Sequence, residues 1–284
     1  MEMPNDNQHN NPSDNFDNPF LKPYPTLSQS WTLFGFFLLF SFGIGIFLSL
    51  FSLTLAYQNS LLKSWITLFS YIATFALLFF FIKQQLKIRR QVIKLDFDNP
   101  DATVLWFLLF ITLLSAIVIE PLSAWIPVPE WFSNIIGNMV SLNFASFLTV
   151  VIAAPLCEES LCRGIILKGL LKNNMKPEYA IMCSALIFAA LHLNPWQGIP
   201  AFLLGCLMGW AYYKSKSLWV PVFIHFVNNG FAFLLLAVTN NPDLTTRDLT
   251  GGSSYIAVYL ASVVLLITLL YGLSKYFENG KRHV

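Results

Sequence analysis

The chain has 284 residues, of which 56% are hydrophobic and only 11% are charged. A soluble fold needs more polar surface than this, whereas a lipid bilayer accepts Phe, Leu and Ile as an outer surface. The net charge of +2 comes from 17 basic and 15 acidic residues, which gives no case for a nucleic-acid partner, since that would need clustered Lys and Arg. The composition is typical of a membrane protein.

The first 30 residues differ from the rest because they are rich in Asn, Asp and Pro. They contain no basic region that leads directly into a short apolar run, so the sequence does not predict a cleaved signal peptide. We expect residues 1–30 to form a disordered polar tail on the cytoplasmic side of the membrane.

We count eight apolar segments of the kind that cross about 30 Å of hydrocarbon, for which roughly 20 residues are typical. The fold class predicted is therefore an all-α polytopic membrane protein with about eight transmembrane helices. In chain order the segments cover residues 31–57, 61–82, 103–119, 135–171, 178–193, 199–213, 218–238 and 255–273. We divide the chain into an N-terminal membrane region (31–134), a core with the fourth to seventh spans (135–238), and an outer loop with the last span and a cytoplasmic end (239–284).

Basic residues in short loops stay on the cytoplasmic side of a membrane, so their placement predicts orientation. With the N-terminus inside, 14 of the 17 Lys and Arg residues fall on the inner side. The outer loops hold only Lys63 and Arg247, and Arg163 lies within the fourth span. This distribution predicts a multi-pass protein of the inner (plasma) membrane with both termini in the cytoplasm.

Three ionisable residues, Glu158, Glu159 and Arg163, lie within the fourth apolar segment. Such residues are costly inside a membrane and usually mark function. The four-residue spacing places Glu159 and Arg163 on one helix face as an ion pair, while Glu158 points about 100° away. We expect Glu159 and Arg163 to be structural and Glu158 to be free for chemistry. The alternative is a buried network that only fixes helix packing.

Two histidines extend this polar cluster to neighbouring helices. The basic turn at residues 172–177 predicts a helix hairpin, with Glu158 lying 14 residues before it and His192 15 residues after it. At 1.5 Å per residue both lie about 21–23 Å from the turn, so they could hold one water between them. His225 and Asn229 share a helix face, and by themselves they would predict interhelical hydrogen bonding without catalysis.

Three short motifs on successive helices resemble those of the CPBP intramembrane proteases. They are Glu158-Glu159-x-x-x-Arg163, Phe188-x-x-x-His192 and His225-x-x-x-Asn229. That family groups the CAAX prenyl endopeptidases with bacteriocin-processing and bacteriocin-immunity (Abi-type) proteins. The resemblance covers roughly residues 140–238, and it implies an intramembrane endopeptidase with a conical cavity open toward the cytoplasm.

The resemblance also implies roles for the motif residues. Glu158 would act as general base on a water that His192 also holds. His225 and Asn229 would donate hydrogen bonds to the oxyanion of the tetrahedral intermediate. Phe188, one turn before His192, is expected either to wall the site or to be ordinary core packing.

The remaining motif residues, Glu159 and Arg163, are expected to set the fourth helix in place. The family was long described as metalloproteases, and zinc bound by Glu158, His192 and His225 is an alternative. The sequence has no His-Glu-x-x-His helix, which favours a glutamate mechanism that requires no metal or other cofactor.

The expected partners are the lipid bilayer and a peptide or protein substrate, with lipidated or membrane-anchored substrates among the options. A second hypothesis keeps the fold without catalysis, as a membrane scaffold or a bacteriocin-immunity protein. An ion or proton carrier is disfavoured because the sequence has no internal repeat and no path of further acidic residues. We interpret Glu120, beside Pro121, as an interfacial residue and not as part of a proton relay.

Overall fold

The structure is a computed structural model and describes residues 22–52, 59–123, 129, 142–241 and 244–280. Within these residues every regular element is a helix and no strand occurs. Most of the predicted tail (residues 1–21) and the start of the predicted fourth span (residues 135–141) lie outside the described residues. The prediction of an all-α polytopic membrane protein is confirmed.

The described residues form eight helices that correspond to the eight predicted apolar segments, and one short additional helix. They are α1 (Leu27–Ser52), α2 (Ser60–Arg89), α3 (Ala102–Ser123), α4 (144–172), α5 (Pro177–Ala190), α6 (Pro195–Ser215), α7 (Trp219–Thr239), α8 (Thr246–Thr250) and α9 (Gly252–Gly280). The short helix, α8, lies in the predicted outer loop. Five helices, α1, α2, α3, α7 and α9, are long and apolar enough to cross a membrane. Helix α5, with 14 residues, extends only about 21 Å.

The helix α4 is continuous but alternates between two helical geometries. Its segments are α-helical at Phe144–Phe147, π-helical at Leu148–Ala153, α-helical at Ala154–Glu159, π-helical at Ser160–Leu167 and α-helical at Lys168–Lys172. A π-helix bonds each carbonyl to the N–H five residues later, and such turns are frequent at functional sites. Glu158 and Glu159 therefore lie in a short α-helical stretch between two π-helical segments.

The helices α4, α5 and α6 form the interior of the bundle. All residues of the segment Ser160–Leu167 are buried, and the Ser184 hydroxyl of α5 donates to the Cys162 carbonyl of α4 at 2.8 Å. The outer helices instead expose large apolar side chains, such as Phe47 on α1 and Val238 on α7. This arrangement suits a bundle whose outer surface is solvated by lipid.

The segment 91–101, between α2 and α3, fixes the relative height of α4 and α7. The Asp96 carboxylate lies 2.5 Å from the Lys168 ammonium of α4, and the Asp96 carbonyl accepts from the backbone N–H of Leu218, next to α7, at 2.6 Å. Nine residues separate Lys168 from Glu159 and seven separate Leu218 from His225. Both distances are about 10–14 Å along a helix, so Glu159 and His225 lie at the same level.

Residues 22–26 cover the turn between α4 and α5 at the same end of the bundle. The Asn173 side chain donates to the Pro23 carbonyl at 2.7 Å. A Cβ atom at position 169 would lie 2.4 Å from Pro25, so only glycine permits this approach. The Arg89 guanidinium lies 5.2 Å from the Tyr24 ring centroid, and burial raises the pKa of Tyr24 to about 12. This end of the bundle is therefore covered by two packed connecting segments.

Candidate active site

A buried ionic cluster joins α4 to α7. The Glu159 carboxylate lies 2.7 Å from Arg163 Nη1 through Oε2 and 2.9 Å from His225 Nδ1 through Oε1. Glu159 and Arg163 are completely buried. The ion pair that the four-residue spacing predicts is confirmed, and the structure adds His225 to it. Because a carboxylate only accepts in such a bond, Nδ1 of His225 carries the hydrogen.

The Arg163 guanidinium is surrounded by groups that stabilise a buried cation. Nη2 donates to the Gly205 carbonyl of α6 at 2.8 Å, and the guanidinium carbon lies 4.6 Å from the Phe188 ring centroid. A Cβ atom at position 205 would lie 3.2 Å from Arg163 Nη2 and 3.1 Å from the Ala185 Cβ of α5. Gly205 therefore allows α5, α6 and the arginine to meet closely.

Phe188 separates and orients the two histidines. Its ring meets the His192 ring edge-on at 5.3 Å and the His225 ring edge-on at 5.4 Å. It is 2% exposed and also faces Arg163. Phe188 lines the cavity beside both histidines and is at the same time part of the hydrophobic core, so the two expectations for it do not exclude each other.

The Glu158 carboxylate points away from this ionic cluster, toward α2. The Tyr71 hydroxyl donates to Glu158 Oε1 at 2.7 Å. Oε2 of Glu158 is buried and has no hydrogen-bond partner among the described residues. Sequence reasoning missed Tyr71, because a tyrosine in an apolar span carries no motif. The helix α2 also carries the hydroxyls of Ser60, Ser64, Thr67, Ser70 and Thr74, so nothing in the sequence singles out Tyr71.

His192 lies in the turn after α5. The predicted span 178–193 placed it inside a helix, and this was wrong. The helix ends at Ala190 because the next helix begins five residues later. Asn194 caps α6 by accepting from the Gln197 N–H at 2.8 Å, and Pro195 is its first residue. His192 Nδ1 lies 3.1 Å from the Phe188 carbonyl. A carbonyl can only accept, so Nε2 remains as the acceptor of a neutral ring.

Asn229 is bound to the π-helical part of α4. Its Nδ2 donates to the Val150 carbonyl at 2.9 Å, and its Oδ1 accepts from Asn228 at 3.1 Å. In the π-helix, the Ala154 N–H bonds to the Thr149 carbonyl, so the Val150 carbonyl would next pair with residue 155. That residue is Pro155, which has no N–H, and the Asn229 side chain supplies the missing donor.

A cavity of about 360 Å³ lies between α3, α5, α6 and α7. Among the residues that line it are His192, His225, Asn228 and Asn229. Glu158 is not among its lining residues, so the structure gathers three of the four predicted chemical residues along one cavity and places the fourth toward α2. A water shared between Glu158 and His192 therefore stays a prediction.

Glu120 also lines this cavity, where it anchors α8. Its carboxylate accepts from the Thr246 backbone N–H at 2.9 and 3.0 Å and also from the Thr246 hydroxyl. These contacts tie the end of α3 to the start of α8.

The donor set for a metal is not gathered in the part of the chain that the structure describes. No three His, Cys, Asp or Glu side chains there are placed to hold a metal ion. His225 Nδ1 faces Glu159, and Glu158 is bound to Tyr71. The alternative zinc set of Glu158, His192 and His225 thus does not fit a metal in this arrangement.

The cavity lies at the end of the bundle opposite to the basic turn between α4 and α5. Its walls include Glu120 near the C-terminal end of α3 and Gln197 near the N-terminal end of α6. Two expectations therefore conflict. The resemblance implies a cavity that opens toward the cytoplasm, whereas the charge distribution predicts that the basic end of the bundle, away from the cavity, lies in the cytoplasm.

Comparisons with known proteins relate part of the chain to one group of membrane proteases. Residues 139–231 match the Type II CAAX prenyl endopeptidase Rce1-like family. Over 106 residues the chain is 36% identical to the membrane-embedded CAAX protease MroQ of Staphylococcus aureus (strain USA300), a match that covers 35% of this chain and 41% of that protein. The chain thus spans about two fifths of the length of that relative. No solved structure is significantly similar to the chain. All three motifs lie inside the matched region, so this part of the chain is similar to CAAX-type membrane proteases.

Proposed function

We propose that the chain is an intramembrane endopeptidase that hydrolyses a peptide bond of a membrane-associated or secreted substrate with water activated by Glu158. The observation that carries this proposal is the state of the Glu158 carboxylate. One oxygen is held by Tyr71 at 2.7 Å and the other is buried without a partner among the described residues. A buried carboxylate oxygen of this kind is a ready acceptor for a water proton.

In the proposed first step, a water donates one hydrogen to Glu158 Oε2 and the other to Nε2 of His192. The Nδ1 contact of His192 with the Phe188 carbonyl leaves Nε2 as the accepting nitrogen. The water oxygen attacks the peptide carbonyl while its proton passes to Glu158. The same proton then goes to the leaving amine, so Glu158 acts first as base and then as acid.

The oxyanion formed in this step would be bound by His225 and Asn229. The Asn229 amide uses one hydrogen for the Val150 carbonyl and carries a second for the oxyanion. A cationic His225 would donate from Nε2, with its charge balanced by the Glu159 carboxylate at 2.9 Å. Donors fixed before reaction in this way are usually a large part of catalysis.

The positioning role proposed for Glu159 and Arg163 follows from their contacts. Arg163 bonds to α6 through Gly205, and Glu159 bonds to α7 through His225. Together they hold α4 against α6 and α7, two of the helices that line the cavity. Neither side chain is exposed, so neither meets substrate directly.

We propose that this chemistry proceeds without a metal or other cofactor, because the donor set for zinc is not gathered among the described residues. The test is metal analysis of the purified protein together with peptide cleavage after treatment with a chelator. Loss of cleavage on chelation, with recovery on adding zinc, would overturn this part of the proposal.

We also place the protein in the inner (plasma) membrane, with the bundle end that carries the basic residues in the cytoplasm. In the bundle, twelve of the described Lys and Arg residues lie at the end with the α4 to α5 turn, while Lys63 and Arg247 lie at the other. Short basic segments are retained on the cytoplasmic side during insertion.

The proposed activity is tested by comparing cells that express the wild-type chain with cells that express Glu158→Gln. Mass spectrometry of peptide termini in membrane and secreted fractions should find cleaved termini in wild type that disappear in the variant. A matched control is Glu178→Gln, which changes an exposed carboxylate on α5 and should keep the wild-type termini.

The same comparison separates the proposal from the alternative of a membrane scaffold or immunity protein. A non-catalytic role predicts that Glu158→Gln retains the phenotype of the wild-type chain and changes no peptide terminus. That result, with both proteins present in the membrane at equal amounts, would favour the scaffold.

A further inference from the structure

The cavity lined by His192, His225 and Asn229 reaches the surface at one end of the bundle. Gln197, the third residue of α6, lines it and is exposed. Glu120 lines it three residues before the end of α3 and binds Thr246 at the start of α8. These residues all lie at the end away from the turn that joins α4 to α5.

The opposite end of the bundle carries the positive charge. The described basic residues there are Lys22, Lys83, Lys87, Arg89, Arg90, Lys94, Lys168, Lys172, Lys176, Lys214, Lys216 and Lys275. The end with the cavity mouth has Lys63 and Arg247. The basic end is also covered by the packed segments 22–26 and 91–101, through contacts such as Asn173 with Pro23 and Lys168 with Asp96.

From these two observations we infer that the cavity faces away from the cytoplasm, and that the site acts on polypeptide segments that reach the membrane from the outer side. Retention of basic segments in the cytoplasm fixes the orientation of a helical membrane protein. Because the cavity mouth and the basic end are at opposite ends of one bundle, fixing one fixes the other. The substrate part of this inference rests on the proposed peptidase activity, and the orientation part does not.

The wall of the cavity indicates the chemistry of the segment that it receives. Its described lining contains one carboxylate, Glu120, and no Lys or Arg. Amide and imidazole groups from Gln197, Asn228, Asn229 and His192 supply donors and acceptors for a peptide backbone. The described lining holds no Lys or Arg that could pair with a free C-terminal carboxylate, so the inferred substrate is an exported or secreted peptide bound through an internal, uncharged or basic segment.

The orientation is tested by cysteine accessibility in a bacterial host, in a background where the four native cysteines are replaced by serine or alanine. Gln197→Cys and Leu249→Cys report the cavity end, and Lys176→Cys reports the basic end; all three positions are exposed. A membrane-impermeant maleimide should label Gln197→Cys and Leu249→Cys in cells whose plasma membrane is intact and whose outer layers let the reagent through. It should label Lys176→Cys only after the membrane is permeabilised.

The reverse pattern, or labelling of Lys176→Cys in intact cells together with the others, would overturn the inference. Labelling after permeabilisation shows that each cysteine is reactive, and either cavity-end position suffices if one variant does not insert.

The substrate side is tested by the location of the termini that depend on Glu158. We expect them in exported or secreted polypeptides. Glu158-dependent termini confined to cytoplasmic segments would overturn this inference while leaving the peptidase proposal intact. If no such termini exist, the peptidase proposal and the substrate assignment both fail, and the labelling result still decides the orientation.

Discussion

The Tyr71 hydroxyl donates a 2.7 Å hydrogen bond to Oε1 of Glu158, which connects α2 with the motif Glu158-Glu159-x-x-x-Arg163. Tyr71 lies outside the matched residues 139–231. The bond fixes the orientation of the carboxylate, so that Oε2 is the oxygen left without a partner among the described residues. A residue of the N-terminal membrane region thus sets the geometry of the proposed base.

The variant Tyr71→Phe should reduce kcat for peptide cleavage while leaving KM nearly unchanged. It removes a hydrogen bond to a carboxylate and keeps the ring, and a bond of this type is typically worth about 1.5–3 kcal/mol, which corresponds to roughly 10-fold to 100-fold in rate. The measurement is steady-state kinetics on a peptide taken from the termini that depend on Glu158.

The matched control for this variant is Tyr179→Phe, because Tyr179 is 60% exposed on α5 and should have wild-type kinetics. Equal kcat values for wild type and Tyr71→Phe would show that the tyrosine does not position Glu158. A fall in thermal stability with no change in kcat would assign it to helix packing alone.

The sequence predicted the helices and the ion pair well because both depend on local spacing. Apolar runs located the helices, and the four-residue spacing of Glu159 and Arg163 produced the contact seen at 2.7 Å. The position of His192 could also have been predicted, since Asn194 followed by Pro195 is a helix start signal and requires α5 to end before it.

Other parts of the site depend on tertiary structure that spacing does not show. Tyr71 meets Glu158 across 87 residues of sequence. The bond from Asn229 to Val150 depends on π-helical pairing, which leaves Pro155 opposite that carbonyl. The contact of His225 with Glu159 depends on the relative height of α4 and α7, which the segment 91–101 sets through Asp96.

The variants Glu159→Gln and Glu158→Gln should differ sharply in stability. Glu159 neutralises a fully buried Arg163, and removal of one partner from a buried ion pair typically costs about 3–5 kcal/mol. Glu158→Gln retains an oxygen for Tyr71 and leaves no cation unpaired. Thermal unfolding in detergent should therefore show a clear decrease in Tm for Glu159→Gln only. Similar Tm values for both variants would contradict the division of roles between the two carboxylates.

The variant Gly205→Ala should destabilise the bundle around Arg163. The added methyl would lie 3.1 Å from the Ala185 Cβ and 3.2 Å from Arg163 Nη2, and overpacking of this kind typically costs about 1–3 kcal/mol. A matched control is Gly43→Ala on α1, where no atom lies within 4 Å of the new Cβ. The measurement is again Tm in detergent. A Tm for Gly205→Ala at or above that of Gly43→Ala would show that α5 and α6 can move apart to accept the methyl group without loss of stability.

The variant Asn229→Ala should lose both cleavage and stability, for separate reasons. Loss of one oxyanion donor typically lowers kcat by about 10²-fold to 10³-fold. The variant also leaves the Val150 carbonyl without its donor at 2.9 Å. Loss of a partner costs about 1–3 kcal/mol for a fully buried acceptor, and this partly buried carbonyl should lie at the lower end of that range.

A second substitution separates these two effects of Asn229→Ala. Pro155→Ala supplies a backbone N–H at the position that faces the Val150 carbonyl in π-helical pairing. The double variant Pro155→Ala with Asn229→Ala should therefore recover Tm while kcat stays low, since no oxyanion donor has been restored. Recovery of kcat together with Tm would mean that Asn229 only completes the hydrogen bonding of α4. Because Pro155 carries no polar side chain and lies outside the lining of the His192 cavity, recovered cleavage could not come from a new catalytic group.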